Sequence, residues 1–329
     1  MLSLKCLLPG YRARWYRRAS FFLGDLARVA EAFEFGWDGE TPTARSRDGL
    51  LFAGFPTPPG DAEIYALLRP KVPKTIGEGH FRLARDLVTR YLYPHLRPDM
   101  APDKGRRPSG DAAMMSGYHG QQKDTALHIA DPERRARFVE AFRPKCDDTI
   151  VNCGAFIGLG DAAVAPLLTK GRVVALEADA RCYDLLTRNL STNGIANVTP
   201  CHAAIWNADH ETLDLATGEA QANSLLQEVH DAGGRALVST VTVDGLAQRF
   251  GLERVTMLSL TVNGAEIEAL KGAATVLKSH RPRIRLAGWY QRDGRAIAEH
   301  CSDRLKSAGY DVHIGPGLGV LALPAEAGE

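Results

Sequence analysis

A chain of 329 residues can bury a substantial core and has room for one or two domains. Its 45% apolar and 24% charged residues are the proportions of an ordinary globular protein and exclude a disordered or low-complexity chain. The net charge is only +1, and no apolar run approaches the roughly 18–20 residues that cross a bilayer, so stable membrane insertion is not expected.

The small net charge conceals an asymmetry. Residues 1–146 carry 24 basic against 17 acidic side chains, and the remainder carries 16 against 22. Two regions with different partners fit this balance, and so do two halves that attract each other. The opening "MLSLKCLLPGYRARWYRR" does not have the order of a signal peptide, because its apolar patch is broken by Lys5 and Pro9 and comes before the basic cluster. The alternation in "YRARWYRR" suits either a nucleic-acid or membrane-surface segment or, more commonly, a solvated helix with packed aromatics; no nucleic-acid partner is expected. Cys6, Cys146, Cys153, Cys182, Cys201 and Cys301 show neither paired nor zinc spacing, so they read as buried, reduced thiols of a cytoplasmic protein without a bound metal.

Through residue 146 the chain reads as a helical and irregular extension, with helices expected over 20–34, 80–93 and 131–142. Asp131 before Pro132 is an N-cap followed by proline at the first helical position. The connectors "FAGFPTPPGD" and "RPDMAPDKGRRPSGD" are rich in Pro and Gly, and the second suits a mobile loop or lid. His119 and His128 stand just before the next region, as loop residues or as the roof of a pocket. From 147 to 329 strand and helix patterns alternate, the signature of a mostly parallel sheet with helices on both faces. Strands are expected at 149–153, 172–176, 198–204, 255–262, 283–288, 310–314 and 318–323, and helices at 159–169, 179–192, 264–278 and 294–308. The last two strands flank Gly-Pro-Gly and should form an antiparallel hairpin. In such doubly wound sheets ligands sit beyond the carboxyl ends of the strands.

The stretch "DTIVNCGAFIGLGD" places glycines 154, 158 and 160 in the turn after the first of these strands. Their order is neither the dinucleotide G-x-G-x-x-G nor the P-loop, and no lysine or arginine lies between Asn152 and Leu168 to neutralise a phosphate. The turn therefore suits a ligand that needs close backbone approach and carries little negative charge, since glycine has no Cβ to collide with it. The next strand ends in Glu177, about 20 residues on, where a carboxylate accepts both hydroxyl protons of a ribose. An adenosine-type site accounts for both features; a tight turn beside a solvated Glu is the plainer alternative.

The segments "VNCGAFIGLGD", "GRVVALEADARCYDLLTRNLSTNGIANVTPCHAAI", "VSTVTVDGLA" and "LSLTVNGAEIEALKGAATVL" resemble successive blocks of the FkbM-type methyltransferases, over about residues 130–290. The resemblance implies a class I methyltransferase (Rossmann-like) α/β fold and S-adenosyl-L-methionine as cofactor. It places Asn152, Gly154, Ala155, Phe156 and Gly158 along the methionine part of that cofactor. Glu177 and Ala178 fall at its ribose, and Ala203, within His202–Ala204, beside its adenine. Asp244 matches an acid ahead of the helix leading to the fourth strand and reads equally as a turn carboxylate.

The chain departs from the family's pattern in its fourth block. Where the family usually reads Lys-Ile-Asp-Val-Glu-Gly-Ala-Glu, this chain has Ser259, Leu260, Thr261, Val262, Asn263, Gly264, Ala265 and Glu266. Asn152 stands for the first block's aspartate and Phe156 for its common asparagine. Thr261, Asn263 and Glu266 occupy the catalytic positions, but neither Thr nor Asn titrates near neutral pH, and a missing base costs on the order of 10²–10⁴ in rate. The resemblance thus leads to O-methylation of an already nucleophilic small molecule or glycan, with His202 or Glu266 assisting, or to a catalytically inactive binding module of the same fold. Trp289 and Tyr290, after the fifth strand, are candidates for a substrate wall or for the core.

Overall fold

The structure, a computed structural model, describes residues 25–92, 125–126, 128–218, 225 and 234–325. Helix α1 (residues 25–32) leads into a three-stranded antiparallel meander of β1 (Phe33–Asp38), β2 (Thr41–Ser46) and β3 (Leu51–Ala53). The helix expected over 20–34 is thus replaced by a strand from Phe33 onward. The alternating "FEFGWD" pairs with "TPTARS" through a two-residue turn whose Gly39 has φ +58°, the left-handed conformation that tight hairpins require. Helix α2 (Pro59–Leu68) starts at a proline that needs no hydrogen-bond partner, and α3 (Phe81–Asp86) passes into a π-helical turn over Leu87–Leu92, within the span expected to be helical.

Helix α4 (Pro132–Ala141) begins as expected, with Asp131 accepting from the Arg134 backbone N–H at 2.6 Å. Its Arg134 and Arg137 both reach Asp311 near the far end of the chain, a direct attraction between the basic and acidic portions. The chain then forms β4 (Thr149–Cys153), α5 (Leu159–Val164), β5 (Arg172–Glu177), α6 (Ala180–Thr192), β6 (Val198–His202), the short β7 (Ala204–Ile205), β8 (Thr212–Thr217) and β9 (Gly234–Val241). After it come α7 (Val243–Arg249), β10 (Met257–Leu260), α8 (Glu266–Lys271), β11 (Arg283–Ala287), the two-residue strands β12 (Gln291–Arg292) and β13 (Arg295–Ala296), α9 (Ile297–Ser307), β14 (Tyr310–Ile314) and β15 (Gly319–Pro324).

Seven strands form one sheet in the order β14-β15-β11-β10-β4-β5-β6. All adjacent pairs are parallel except those of β15, which runs antiparallel to both neighbours as the terminal hairpin requires. This is the doubly wound class I methyltransferase fold. The central β10 and β11 are buried along their whole length, and the two arginines that β11 carries into the interior are paired there, Arg283 with Asp148 and Arg285 with Ser259. The order reverses on either side of β4, and the carboxyl ends of β4, β5 and β10 open at that reversal.

Two features were not expected. The strand over 198–204 breaks at Ala203, whose N–H donates to Glu177 O, and β7 leaves the main sheet to pair with β9. The resulting three-stranded sheet, β7-β9-β8, lies beside the ligand-bearing end. Nor is the N-terminal region a free appendage. Leu26, Phe33, Phe52, Leu83 and Leu87 share one buried cluster with Phe156, Ile157 and Leu159 of the glycine turn. The carboxamides of Asn189 on α6 and of Asn193 just after it accept from and donate to the backbone of Ala53 and Leu51 at 2.7–3.0 Å, capping the open edge of β3. The basic and aromatic "YRARWYRR", the proline-rich 97–111 segment and His119 lie outside the described residues.

Candidate functional site

The turn after β4 is held from both sides. The N–H groups of Gly154 and Ala155 both donate to Leu176 O at 2.9 Å, and Thr261 N donates to Cys153 O at 3.0 Å. Gly154 has φ +87°, and a Cβ there would lie 2.0 Å from Thr261 O, so only glycine lets the ends of β4 and β10 approach this closely. Gly158, at φ +77°, does the same for helix packing, since its Cβ would meet Leu186 Cδ1 at 2.4 Å. Phe156 between them is itself left-handed, at φ +55°, which costs a side chain about 1–2 kcal/mol. Its ring is held by Phe55 (centroids 5.9 Å apart) and by Arg90, whose guanidinium carbon is 4.6 Å from the ring centre.

Glu177 faces this bend. Its Oε2 accepts from Phe156 N at 2.8 Å, and Oε1 accepts from Ala178 N and Asp179 N, each at 2.9 Å. Burial pushes its pKa up to about 7, against the pull of these backbone donors. The carboxylate lines a cleft whose empty space, counted out to its open mouth, is about 680 Å³. Gly154, Phe156, Glu177, Ala178, Ala203, Thr261 and Asn263 all line it, as expected. Leu176, Ala204, Ile205, Leu215, Leu225, Val262 and Ala265 complete an apolar wall, several of them from the β7-β9-β8 insertion that no local pattern announced.

The other expected site residues lie elsewhere. Ala155 and Gly158 are behind the turn, packing the core and α6. Asn152 is buried below it and donates through Nδ2 to Asp161 Oδ1 at 2.9 Å. Glu266 is fully buried and accepts from Val262 N at 3.0 Å and Gly264 N at 2.9 Å. It closes the loop that presents Asn263, which is left-handed at φ +51°, and does not itself reach the cleft. Burial raises its pKa to about 7, and the two backbone donors oppose the rise. His202 is exposed, its ring stacked on Tyr183 at 4.9 Å and its Nε2 3.1 Å from Ala178 O. Asp244 accepts from Thr275 N and Val276 N at 2.8 and 2.9 Å, a turn carboxylate that ties α7 to the segment before β11. Trp289 and Tyr290 are half-buried, and neither lines the cleft; His128 is exposed.

The neutral residues in the strands have charged neighbours. Asn152, Ser259 and Arg285 stand side by side in register across β4, β10 and β11, and Arg285 Nη1 donates to Ser259 Oγ at 3.3 Å. Burial raises the Asp161 pKa to about 7, while Asn152, Arg90 and Arg285 pull the other way. An acid on α5 and an arginine on β11 thus supply, beneath the turn, charges that the strand positions 152 and 259 do not carry.

The feature the sequence reading missed is Arg90, which lines the cleft from the π-helical turn after α3. The local rule that no cation lies near the turn holds along the chain and fails in space. Among the described residues lining the cleft, Glu177 and Arg90 are the only ionisable side chains. No group of three or more potential metal ligands, and no helix long and apolar enough to cross a membrane, occurs among the described residues. Cys153, Cys182, Cys201 and Cys301 are buried and Cys146 is exposed, none of them in a disulfide, while Cys6 lies outside the described residues.

Residues 152–312 match the family model of the methyltransferase FkbM domain. The methyltransferase sdnD of Sordaria araneosa is 26% identical over 191 residues, 46% of this chain and 74% of that protein. Among solved structures, the methyltransferase FkbM of Methylobacillus flagellatus KT is similar at TM-score 0.39 and 17% identity, over 77% of this chain and 62% of that one. The chain therefore spans less than two thirds of that relative's length. The precorrin-6y C5,15-methyltransferase of Geobacter metallireducens GS-15 is similar at TM-score 0.36 and 14% identity, over 60% of this chain and 90% of that one.

Proposed function

The chain belongs to the FkbM-type methyltransferase family, and from that premise we propose that its cleft binds S-adenosyl-L-methionine and that the chain methylates an oxygen of a small molecule or glycan. The observation that carries the reading is the orientation of Glu177 toward the bend at Gly154–Phe156, on the rim of one cleft. Its acceptors suit a ribose diol, the bare backbone of Gly154 suits close passage of the methionine chain, and the wall of Ala203, Ala204, Ile205, Leu215 and Leu225 suits an adenine ring. When bound, the cofactor supplies an electrophilic methyl group on a sulfonium.

The chain's own contribution is positioning. Thr261 and Asn263 rim the cleft beside the turn and take no proton near neutral pH, so the acceptor oxygen has to arrive already ionised or strongly nucleophilic. A cytoplasmic location belongs to the same reading, supported by five described cysteines that form no disulfide.

Calorimetry with S-adenosylhomocysteine tests the cofactor assignment. Glu177→Ala should weaken binding about 10- to 100-fold, the loss expected for charge-assisted hydrogen bonds. Binding should also depend on pH. Burial raises the free carboxyl's pKa to about 7, and hydroxyl donors favour the ionised form, so binding drives the proton off. Affinity should fall by up to about tenfold per unit below pH ~6 and level off above pH ~8. No binding at millimolar ligand, or a pH-independent affinity equal to that of Glu177→Ala, defeats the assignment.

Apart from Glu177, which this reading assigns to the ribose, no described residue of the rim is a base near neutral pH, and this favours a second reading, a silent module that keeps the fold for binding. Turnover with Thr261→Asp and Asn263→Glu together separates the two: activity gained from none marks a silenced site, and activity lost marks one adapted to its neutral rim.

A further inference from the structure

We propose that Arg90, carried by the segment ahead of the sheet, is the residue that binds the amino-acid carboxylate of the methyl donor. The proposal rests on the cofactor reading above and extends it to a part of the chain outside the FkbM match.

Three observations converge on Arg90. It lines the cleft together with Gly154, Phe156 and Glu177, and its guanidinium carbon sits 4.6 Å from the centre of the Phe156 ring. Phe156 belongs to the glycine turn, so the cation is held at the turn rather than at the apolar wall formed by Ala203–Ile205 and Leu215. The guanidinium is also uncommitted. Its only ion pair among the described residues is Nε to Asp86 Oδ1 at 4.0 Å, too long for a hydrogen bond, and the side chain is 28% exposed. Neither terminal amino group hydrogen-bonds to another described residue, which leaves a planar pair of donors matched to a carboxylate.

The chemistry of the ligand completes the assignment. An S-adenosyl ligand presents an adenine, a ribose diol and an amino acid whose carboxylate is its one fixed anion. Glu177 repels that anion from the ribose end, and the apolar wall offers it nothing. The cleft has a single described cation, and it stands beside the turn along which the methionine chain passes. Stacking on Phe156 costs the guanidinium few of its in-plane donors, so holding the ring and binding a carboxylate are compatible. The strained φ of Phe156 gains a reason too: the left-handed conformation aims the aromatic face at the N-terminal segment that carries Arg90.

The test is a selectivity measurement by calorimetry on the full chain, comparing S-adenosylhomocysteine with 5′-methylthioadenosine, which has the nucleoside but no amino-acid group. Arg90→Met should weaken S-adenosylhomocysteine about 10- to 100-fold and change 5′-methylthioadenosine by less than about twofold, with Arg90→Lys between. On the unmodified chain, decarboxylated S-adenosylhomocysteine should bind at least about tenfold more weakly than the parent, a comparison that needs no variant to fold. Equal losses for both ligands make Arg90 a structural clamp on Phe156 and overturn the proposal, as does an unchanged affinity for S-adenosylhomocysteine. Failure of the unmodified chain to bind either ligand instead overturns the cofactor reading, and this proposal with it.

Discussion

Gly154→Ala should lower the unfolding free energy by about 2–5 kcal/mol and abolish nucleoside binding, because two costs add at one atom. The first is conformational: at φ +87° an L side chain sits in a region it rarely adopts. The second is steric and larger. The new Cβ would lie 2.0 Å from Thr261 O and 2.9 Å from Thr261 C, and these are backbone atoms that cannot rotate away. Relief has to come from separating the carboxyl ends of β4 and β10, which the Thr261 N to Cys153 O hydrogen bond of 3.0 Å holds together. Thermal unfolding and calorimetry on one preparation check both effects. Gly194→Ala is the control: its φ is +62°, and nothing lies within 4 Å of its Cβ, so it carries the conformational cost alone. Equal losses at the two positions would remove the steric argument.

Arg283→Ala should cost about 3–5 kcal/mol in stability and leave cofactor affinity unchanged. Asp148 is 1% exposed just before β4, and it accepts from Arg283 Nη1 at 2.9 Å, Thr256 Oγ1 at 2.8 Å and Lys145 N at 2.7 Å, with a further close contact from Arg283 Nη2. One carboxylate thus ties together the amino ends of β4, β10 and β11, opposite the cleft. Burial alone would raise its pKa, but the hydrogen bonds and charge of Arg283 outweigh burial and hold it below the ordinary value. A depressed carboxyl stabilises the fold above its unfolded pKa, and that stability is lost as pH falls through the folded value. In Arg283→Ala the carboxylate stays buried without its cation, so the stability deficit should shrink as acid protonates Asp148. Asp148→Asn combined with Arg283→Met should recover most of the loss, since no lone charge remains. Urea denaturation of the unmodified chain and the two variants at pH 5 and 8 checks this. A double variant as unstable as Arg283→Ala would show that the pair stabilises by more than mutual neutralisation.

Much of the sheet was legible because its signals are local. An apolar run of five, a turn and an amphipathic helix are written within about 30 residues, and β4, β5, β11 and β14 lie within a residue of their expected limits. The meander β1-β2-β3 was less legible. "FEFGWD" has a period that serves a strand or the end of a helix equally, and the choice is made by "TPTARS" opposite it and by the amides of Asn189 and Asn193, more than 130 residues away. The helix expected over 264–278 is interrupted at Gly272 and Ala273 before it resumes and ends in a π-helical turn over Val276–His280; a Cβ at Gly272 would meet Trp206 O at 2.4 Å, a contact invisible along the chain.

The site divides in the same way. Gly154 and Glu177 could be read from the order of residues alone, because a strand end, a bare turn and the next strand end are neighbours in both sequence and space. The fate of Glu266 could not: at a helix start a carboxylate can face a ligand or its own loop, and only the two N–H groups of Val262 and Gly264 decide for the loop. Arg90 was out of reach for the opposite reason, since it meets the turn only after α3 packs on α5. Sequence therefore determined the sheet, the bend and the carboxylate beside it, all of which are short-range in the chain. Tertiary packing decided which side chains turn inward and brought the cleft its only described cation, because burial and charge pairing are settled by distances in space that residue order does not record.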